Sequence, residues 1–158
     1  MTEHSIRYTT SLEGITVDSL RGGFWVGWPD PPTPEVHLAM LQGSEAVVLA
    51  VSEERGEVVG FVNAVGDGVL TAYVPLLEVL PAWQGQGIGT ELVRRVLAEL
   101  SPRYMVDLVC DDDVVPFYQR LGFVPYGAMI RRDRGAILSA RGMFAPQASP
   151  RDHPEDGG

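Results

Sequence analysis

Gln84-Gly85-Gln86-Gly87-Ile88-Gly89-Thr90 sets three alternate glycines where an extended run ends and an amphipathic helix begins. The first N–H groups of a helix have no partner within it, so here they are free and point outward together. Glycine lets the main chain approach a ligand closely, and the helix dipole adds partial positive charge. Such a segment is a cradle for an anion, above all a phosphate. Two nucleotide motifs that use the same physics do not fit. A Rossmann fingerprint starting at Gly85 requires glycine where Thr90 stands, and no βαβ unit opens the chain; a P-loop requires Lys-Ser or Lys-Thr after the glycines. What remains is Gln-x-x-Gly-x-Gly, in Gln84, Gly87 and Gly89, directly after Leu76-Leu77-Glu78-Val79-Leu80-Pro81. Taken alone, the segment also reads as a tight strand-to-helix connection with no ligand.

Other chemistries find little support. Cys110 is the only cysteine, so no intrachain disulfide and no thiolate cluster for zinc can form. His4, His37 and His153 lie far apart without ligand-like spacing, so no metal is expected. The formal charge of -9 argues against a broad phosphate-tracking surface for nucleic acid, which needs clustered Lys and Arg. No apolar run approaches the roughly 20 residues that cross a bilayer, and Met1 to Tyr8 has no leader pattern; the expectation is a cytoplasmic protein without membrane contact.

The elements that must position the cradle follow from pattern. The chain has 158 residues, 45% of them hydrophobic, which suits one domain with a real core. Trp25 to Pro34 holds two tryptophans and four prolines and reads as a shaped loop. Thr33 as N-cap, Pro34 at the first helical position and Gly43 at the end punctuate a short helix. Ala46 to Val51 and Val58 to Ala64 read as a hairpin. Val69 to Leu80 extends the meander, with Pro75 signalling a bulge or an interrupted ladder. Ile88, Leu92, Val93, Val96, Leu97 and Leu100 recur at helical spacing, and Ser101-Pro102 stops that helix. Tyr104 to Cys110 is a fifth extended run, and Val114 to Leu121 a second short helix closed by Gly122. Tyr126 to Ile130 and Ile137 to Ala140 are expected to form a terminal hairpin. The domain is expected over residues 1–144, with a disordered tail over 145–158. Strands followed by strand, helix, strand and helix imply an α/β fold with a mixed sheet covered by helices.

The Gln-x-x-Gly-x-Gly run after its strand, together with Val114-Val115-Pro116-Phe117-Tyr118-Gln119-Arg120-Leu121-Gly122-Phe123, resembles the two signatures of the GNAT superfamily of N-acetyltransferases. The match covers Leu76 to Phe123; Met1 to Val65 agrees only in the order of elements. The resemblance implies a mostly antiparallel central sheet with helices on both faces, splayed near Leu77 to Leu80. It implies that the amides of Gln84, Gly85, Gln86, Gly87, Ile88, Gly89 and Thr90 hold the pyrophosphate of acetyl-CoA. By the same likeness, the main chain of Leu77 and Val79 pairs with the pantetheine arm and polarises the thioester. Tyr118 takes the place of the residue that gives a proton to departing coenzyme A. The sequence departs from the pattern at Asp111, where an asparagine is common.

An attacking amine must lose a proton, because an ammonium has no lone pair to offer. Glu78, an acid within an apolar strand beside Leu77 and Val79, is the first choice of base, since partial burial raises a carboxyl pKa. Tyr73 and Asp107 are its rivals. Trp25 and Trp28 are expected to line the acceptor pocket, where aromatic faces attract cations, whereas Phe24 reads as packing. Simpler roles remain open: Tyr118 as a core aromatic, Glu78 as the partner of Arg131 or Arg132, Cys110 as a buried and inert thiol. The expected reaction is direct transfer of acetyl to an amine in a ternary complex. A non-catalytic acyl-CoA sensor of the same fold and a structural protein without ligand are the alternatives. The terminal hairpin or an exposed strand offers a surface for a homodimer.

Overall fold

In a computed structural model, residues 4–147 are described. Five strands form one sheet in sequence order: β1 (Ile6–Thr9), β2 (Ala46–Ser52), β3 (Val58–Gly66), β4 (Thr71–Val79) and β5 (Met105–Asp107). The first four pair antiparallel, and β5 joins β4 in parallel. Four α-helices accompany them: α1 (Pro34–Gln42), α2 (Ile88–Glu99), α3 (Val115–Gln119) and α4 (Gly135–Met143).

The central strands β2 and β3 are buried along most of their length, as their unbroken apolar runs require when both faces of a sheet are covered. Gly60 on β3 faces α2: a Cβ there would stand 3.1 Å from a Leu92 methyl and 3.3 Å from one of Ile88, so the missing side chain lets the helix lie close. Its neighbour Phe61 points the other way, toward Phe24, Trp25 and His37. One face of the sheet therefore carries α2 and the opposite face carries α1 with the loop before it. α2 buries Ile88, Leu92, Val93 and Val96, each worth about 1.5–3 kcal/mol of hydrophobic transfer, while Glu91 and Arg95 pair at 2.6 Å on its outer side. α1 begins as its punctuation requires: the Thr33 hydroxyl accepts from the Val36 N–H at 3.3 Å and Pro34 takes the first turn.

The strand β4 starts later than its apolar pattern suggests. One Asp67 carboxylate oxygen accepts from the N–H groups of Val69, Leu70 and Thr71 at 2.8, 2.8 and 3.1 Å, which holds Val69 and Leu70 in a turn. The interruption at Pro75 is present: Asn63 pairs with Leu76 and Val65 with Tyr73, so Ala64 alone faces Val74 and Pro75. The strand β5 is shorter than the extended run Tyr104 to Cys110, because pairing with β4 ends at Tyr73 and Asp107.

The terminal hairpin is not formed. Residues 124–133 contain no strand, and Ile137 to Ala140 lie inside α4. Asp133 starts that helix, accepting from the Gly135 N–H through its side chain (3.0 Å) and from the Ala136 N–H through its carbonyl (3.3 Å). Ala, Leu, Arg and Met then favour helix over strand, and the Arg141 guanidinium donates to the Pro31 carbonyl at 3.1 Å, fixing α4 beside α1. The strand β1 and a 3₁₀ turn at Val17–Leu20 went unmarked by pattern, each being only four residues long. The tail expected from residue 145 lies, from residue 148 onward, outside the described residues.

Candidate active site

The glycine run sits where the sequence reading puts it, between a 3₁₀ turn at Pro81–Trp83 and the start of α2. Gly85 and Gly87 have φ of +76° and +80°, and Gly87 is the N-cap of α2. A Cβ at either would meet nothing within 4 Å, so it is the left-handed backbone and not crowding that calls for glycine. The first helical bond runs from the Glu91 N–H to the Gly87 carbonyl at 3.1 Å, and no main-chain acceptor takes the N–H groups of Gly85 through Thr90. Gln84 differs from its six neighbours. Its N–H donates to the Pro81 carbonyl at 3.3 Å, and its side-chain amide donates to the Val79 carbonyl at 3.0 Å, so it braces the cradle against β4.

Alongside lies the open edge of β4. The Leu80 N–H donates to the Val59 carbonyl, and alternation along the strand therefore turns the N–H groups of Leu77 and Val79 away from β3. With β5 paired only as far as Tyr73, that edge has no strand partner, and Pro75 has no N–H to offer one. The result is a gap in the sheet next to free helix amides. Such a donor set fits a ligand with a diphosphate followed by an amide-containing arm.

α3 closes the other wall. Phe117 packs over the cradle, 3.6 Å from where a Cβ on Gly89 would stand. Tyr118 faces a cavity of about 680 Å³ that Tyr73, Asp107 and Cys110 also line. Phe117 and Phe123 meet the Tyr118 ring edge-on, at 4.9 and 5.7 Å between centroids. Burial, with a smaller contribution from Cys110, pushes the phenol up to about 12, so it is protonated at neutral pH. Cys110 is half-buried, and burial together with Asp111, Asp112 and Asp113 raises its thiol, which is the opposite of what a nucleophile needs. Asp111 is exposed and its side chain caps nothing; its carbonyl accepts from the Val114 N–H.

Glu78 lies on the other face of β4, opposite Phe61 in register and outside the cavity that holds Tyr118. Neither Arg131 nor Arg132 reaches it. One of its oxygens accepts from the Trp25 main-chain N–H at 2.9 Å. Burial raises its carboxyl above the ordinary value, and the Trp25 bond opposes that rise. Trp25 is 6% exposed, whereas Trp28 is 41% exposed and meets it edge-on at 5.2 Å. Of the two indoles expected in a pocket wall, Trp28 is the one at the surface, and Phe24 packs inside. His37 on α1 is buried against Phe24, Trp25 and Phe61, and neither ring nitrogen has a hydrogen-bond partner; burial lowers it to about 4. Among the described residues, no cluster of three or more His, Cys, Asp or Glu could hold a metal ion, and no helix is long and apolar enough to cross a membrane.

The structure thus sets the cradle beside the open edge of β4, with Phe117 of α3 against it. It puts Tyr118 on a cavity whose lining includes Tyr73 but neither the cradle nor Leu77 and Val79, and places Glu78, Trp25 and Trp28 on the opposite face of the strand. The sequence profile described as Acetyltransferase (GNAT) family matches residues 13–123. The chain belongs to the GNAT family of acetyltransferases. Among relatives of this GNAT chain, the GCN5-related N-acetyltransferase 1, chloroplastic, of Arabidopsis thaliana is 33% identical over 122 residues, covering 75% of this chain and 60% of the relative. The serotonin N-acetyltransferase 2, chloroplastic, of Oryza sativa subsp. japonica is 36% identical over 118 residues, covering 72% of this chain and 58% of the relative. The chain spans about 60% of the length of these curated relatives. Among solved structures, a Deinococcus radiodurans R1 protein assigned as an acetyltransferase shares 52% identity and a TM-score of 0.78, covering 84% of this chain and 93% of that one. GNAT enzymes use acetyl-CoA as acyl donor.

Sequence reasoning did not mark the Trp25 N–H bond to Glu78, nor the burial of His37. Gly22, Gly23 and Gly27 around Trp25 hint at unusual backbone, but nothing in them points to a partner 53 residues away.

Proposed function

We propose that this chain is an N-acetyltransferase that holds acetyl-CoA in the gap beside β4 and transfers the acetyl group directly to an amine. The single observation that carries the proposal is the row of unpaired N–H groups from Gly85 to Thr90 beside the unpaired edge of β4. In this reading Gly85, Gln86, Gly87, Ile88, Gly89 and Thr90 donate to the diphosphate, and Gln84 keeps the cradle in register through Val79. Acetyl-CoA supplies the activated thioester when bound. The N–H groups of Leu77 and Val79 donate toward the arm and toward the oxygen that gains negative charge. Glu78 accepts the proton of the amine from the opposite face. Its raised pKa suits a base that works near neutral pH. Tyr118 donates its phenolic proton to sulfur as the carbon–sulfur bond breaks. Binding both partners across one strand converts a bimolecular encounter into a positioned reaction.

Trp28, exposed beside the Trp25 loop, offers its ring face to the acceptor. An amine carrying an aromatic ring suits such a wall, and serotonin, which the rice relative's name mentions, is the first acceptor to try. The test is a thiol-release assay with acetyl-CoA against serotonin, polyamines, amino acids and N-terminal peptides. Thiol release with at least one group is the expected result. A protein whose melting temperature rises with acetyl-CoA yet releases no thiol with any acceptor would be a binder instead. No rise at all would remove the cradle reading.

A further inference from the structure

Trp25 has φ of +70°, and among the described residues it is the only one other than glycine with a positive φ. A bulky side chain rarely occupies this region, so the surroundings must hold it there. They are visible. The indole is buried and its ring lies 5.2 Å from Trp28, 5.0 Å from His37 and 5.7 Å from Phe61, centroid to centroid. The Trp28 N–H donates to the Trp25 carbonyl at 3.1 Å and closes the turn. Nearby, a Cβ on Gly22 would stand 2.7 Å from a Leu80 methyl, so the loop is pressed against the end of β4. The Trp25 N–H then emerges toward Glu78 and donates to Oε2 at 2.9 Å, while Oε1 has no hydrogen-bond donor among the described residues.

We infer that Trp25 is a positioning residue: its buried indole locks a left-handed backbone whose N–H grips one oxygen of Glu78 and leaves the other free for the proton of the acceptor. The inference rests on the reading of Glu78 as base. It also explains why an aromatic residue stands where glycine would sit without strain: glycine supplies the same N–H but no anchor to hold it still. The ionisable groups on the surrounding elements do not compete for the carboxylate. His37 on α1 has no hydrogen-bond partner, Arg21 in the loop is engaged with Asp18 at 2.9 Å and Glu35 at 3.7 Å, Asp30 is exposed, and β3 presents Phe61. A hydrogen bond to the anion favours the ionised carboxyl, so loosening the grip raises the pKa at which Glu78 takes up its proton.

The experiment compares Trp25→Gly, Trp25→Phe and Glu78→Gln. The pH profile of kcat/KM is measured with acetyl-CoA and the best amine of the thiol-release assay, and the Glu78 carboxyl is titrated by NMR in the full chain. Trp25→Gly is expected to lower kcat about 10-fold at an unchanged KM for acetyl-CoA and to move both the acid limb and the NMR midpoint upward by about half a pH unit. Trp25→Phe, which keeps a ring in the pocket, recovers most of both. Should Trp25→Gly fail to fold, a smaller upward shift in Trp25→Phe carries the same meaning. An NMR midpoint that stays put in the Trp25 variant that folds overturns the inference even when Glu78→Gln is inactive. A Glu78→Gln variant that keeps its rate and its acid limb overturns the base reading itself, and the positioning role with it, whatever the titration shows.

Discussion

The cradle and the Glu78 pocket lie on either side of one strand, yet they are built differently. Gly85 to Thr90 present main-chain donors from one short run, with conformation set by two left-handed glycines and the start of a helix. The Glu78 pocket needs a carboxylate from β4, an amide from a loop 53 residues earlier, a ring from β3 and an imidazole from α1. Main-chain sites tolerate many side chains but few backbones; the pocket is strict about both, since the Trp25 backbone that grips Glu78 is held by the side chains around it. The two halves should therefore fail in different ways, one in donor affinity and the other in rate and pH response.

The largest separation is expected from Glu78→Gln. Loss of a general base costs about 10²–10⁴ in kcat/KM, while the rise in melting temperature with acetyl-CoA should persist. A variant that lost both would show that the pocket and the cradle are not independent.

Next comes the pH dependence of stability. Burial lowers His37 to about 4 in the folded chain against 6.5 for the ordinary imidazole, so between these values the unfolded chain binds the extra proton. The contribution is whole above about pH 6.5, falls as pH drops through the window and is gone below about pH 4, a loss approaching about 3 kcal/mol. Urea midpoints of the wild type and His37→Phe between pH 4 and 7 check this. The variant should be flatter, and parallel curves would refute the assignment.

Tyr118→Phe sharpens the comparison on the cradle side. The phenol, pushed up to about 12, is a weak acid toward a thiolate of pKa about 8.5, so its proton donation brings only modest help and a loss near the lower end, about 10²-fold in kcat, is expected. Single-turnover thiol release reads it, and an unchanged rate would return Tyr118 to the role of a packed aromatic. The smallest effect belongs to Gly87→Ala. Forcing an L-residue to φ of +80° costs about 1–2 kcal/mol, which corresponds to a KM for acetyl-CoA about 10-fold higher at nearly constant kcat. A matching fall in kcat would mean that the N-cap also shapes the chemical step.

The contrast also explains what the sequence made legible. The cradle could be read because glycine spacing, the preceding strand and the amphipathic period of α2 are local signals. The sheet from β2 to β4 was visible for the same reason, including the interruption at Pro75. Trp25 was assigned to a pocket wall from its residue type, but its burial depends on Phe61 and His37, which no local pattern joins to it. Residues 137–140 misled because Ile137 and Leu138 suit a strand as well as a helix, and the deciding contacts come from Asp133 and from Pro31. Leu108 to Cys110 look like strand continuation, and only the pairing shows that β5 ends at Asp107.

That early ending has a cost in the resting protein. Unbonded edge groups on a sheet are a template for any passing extended chain, and Val74 to Val79, where the Val79 carbonyl is already taken by the Gln84 side chain, form such a template. Pro75 serves there as a gatekeeper, blunting the recruitment of foreign strands while leaving room for a slender, amide-bearing guest. If acetyl-CoA covers this edge as proposed, it would double as its guard, and a preparation kept saturated with it should resist self-association on storage better than one stripped of it.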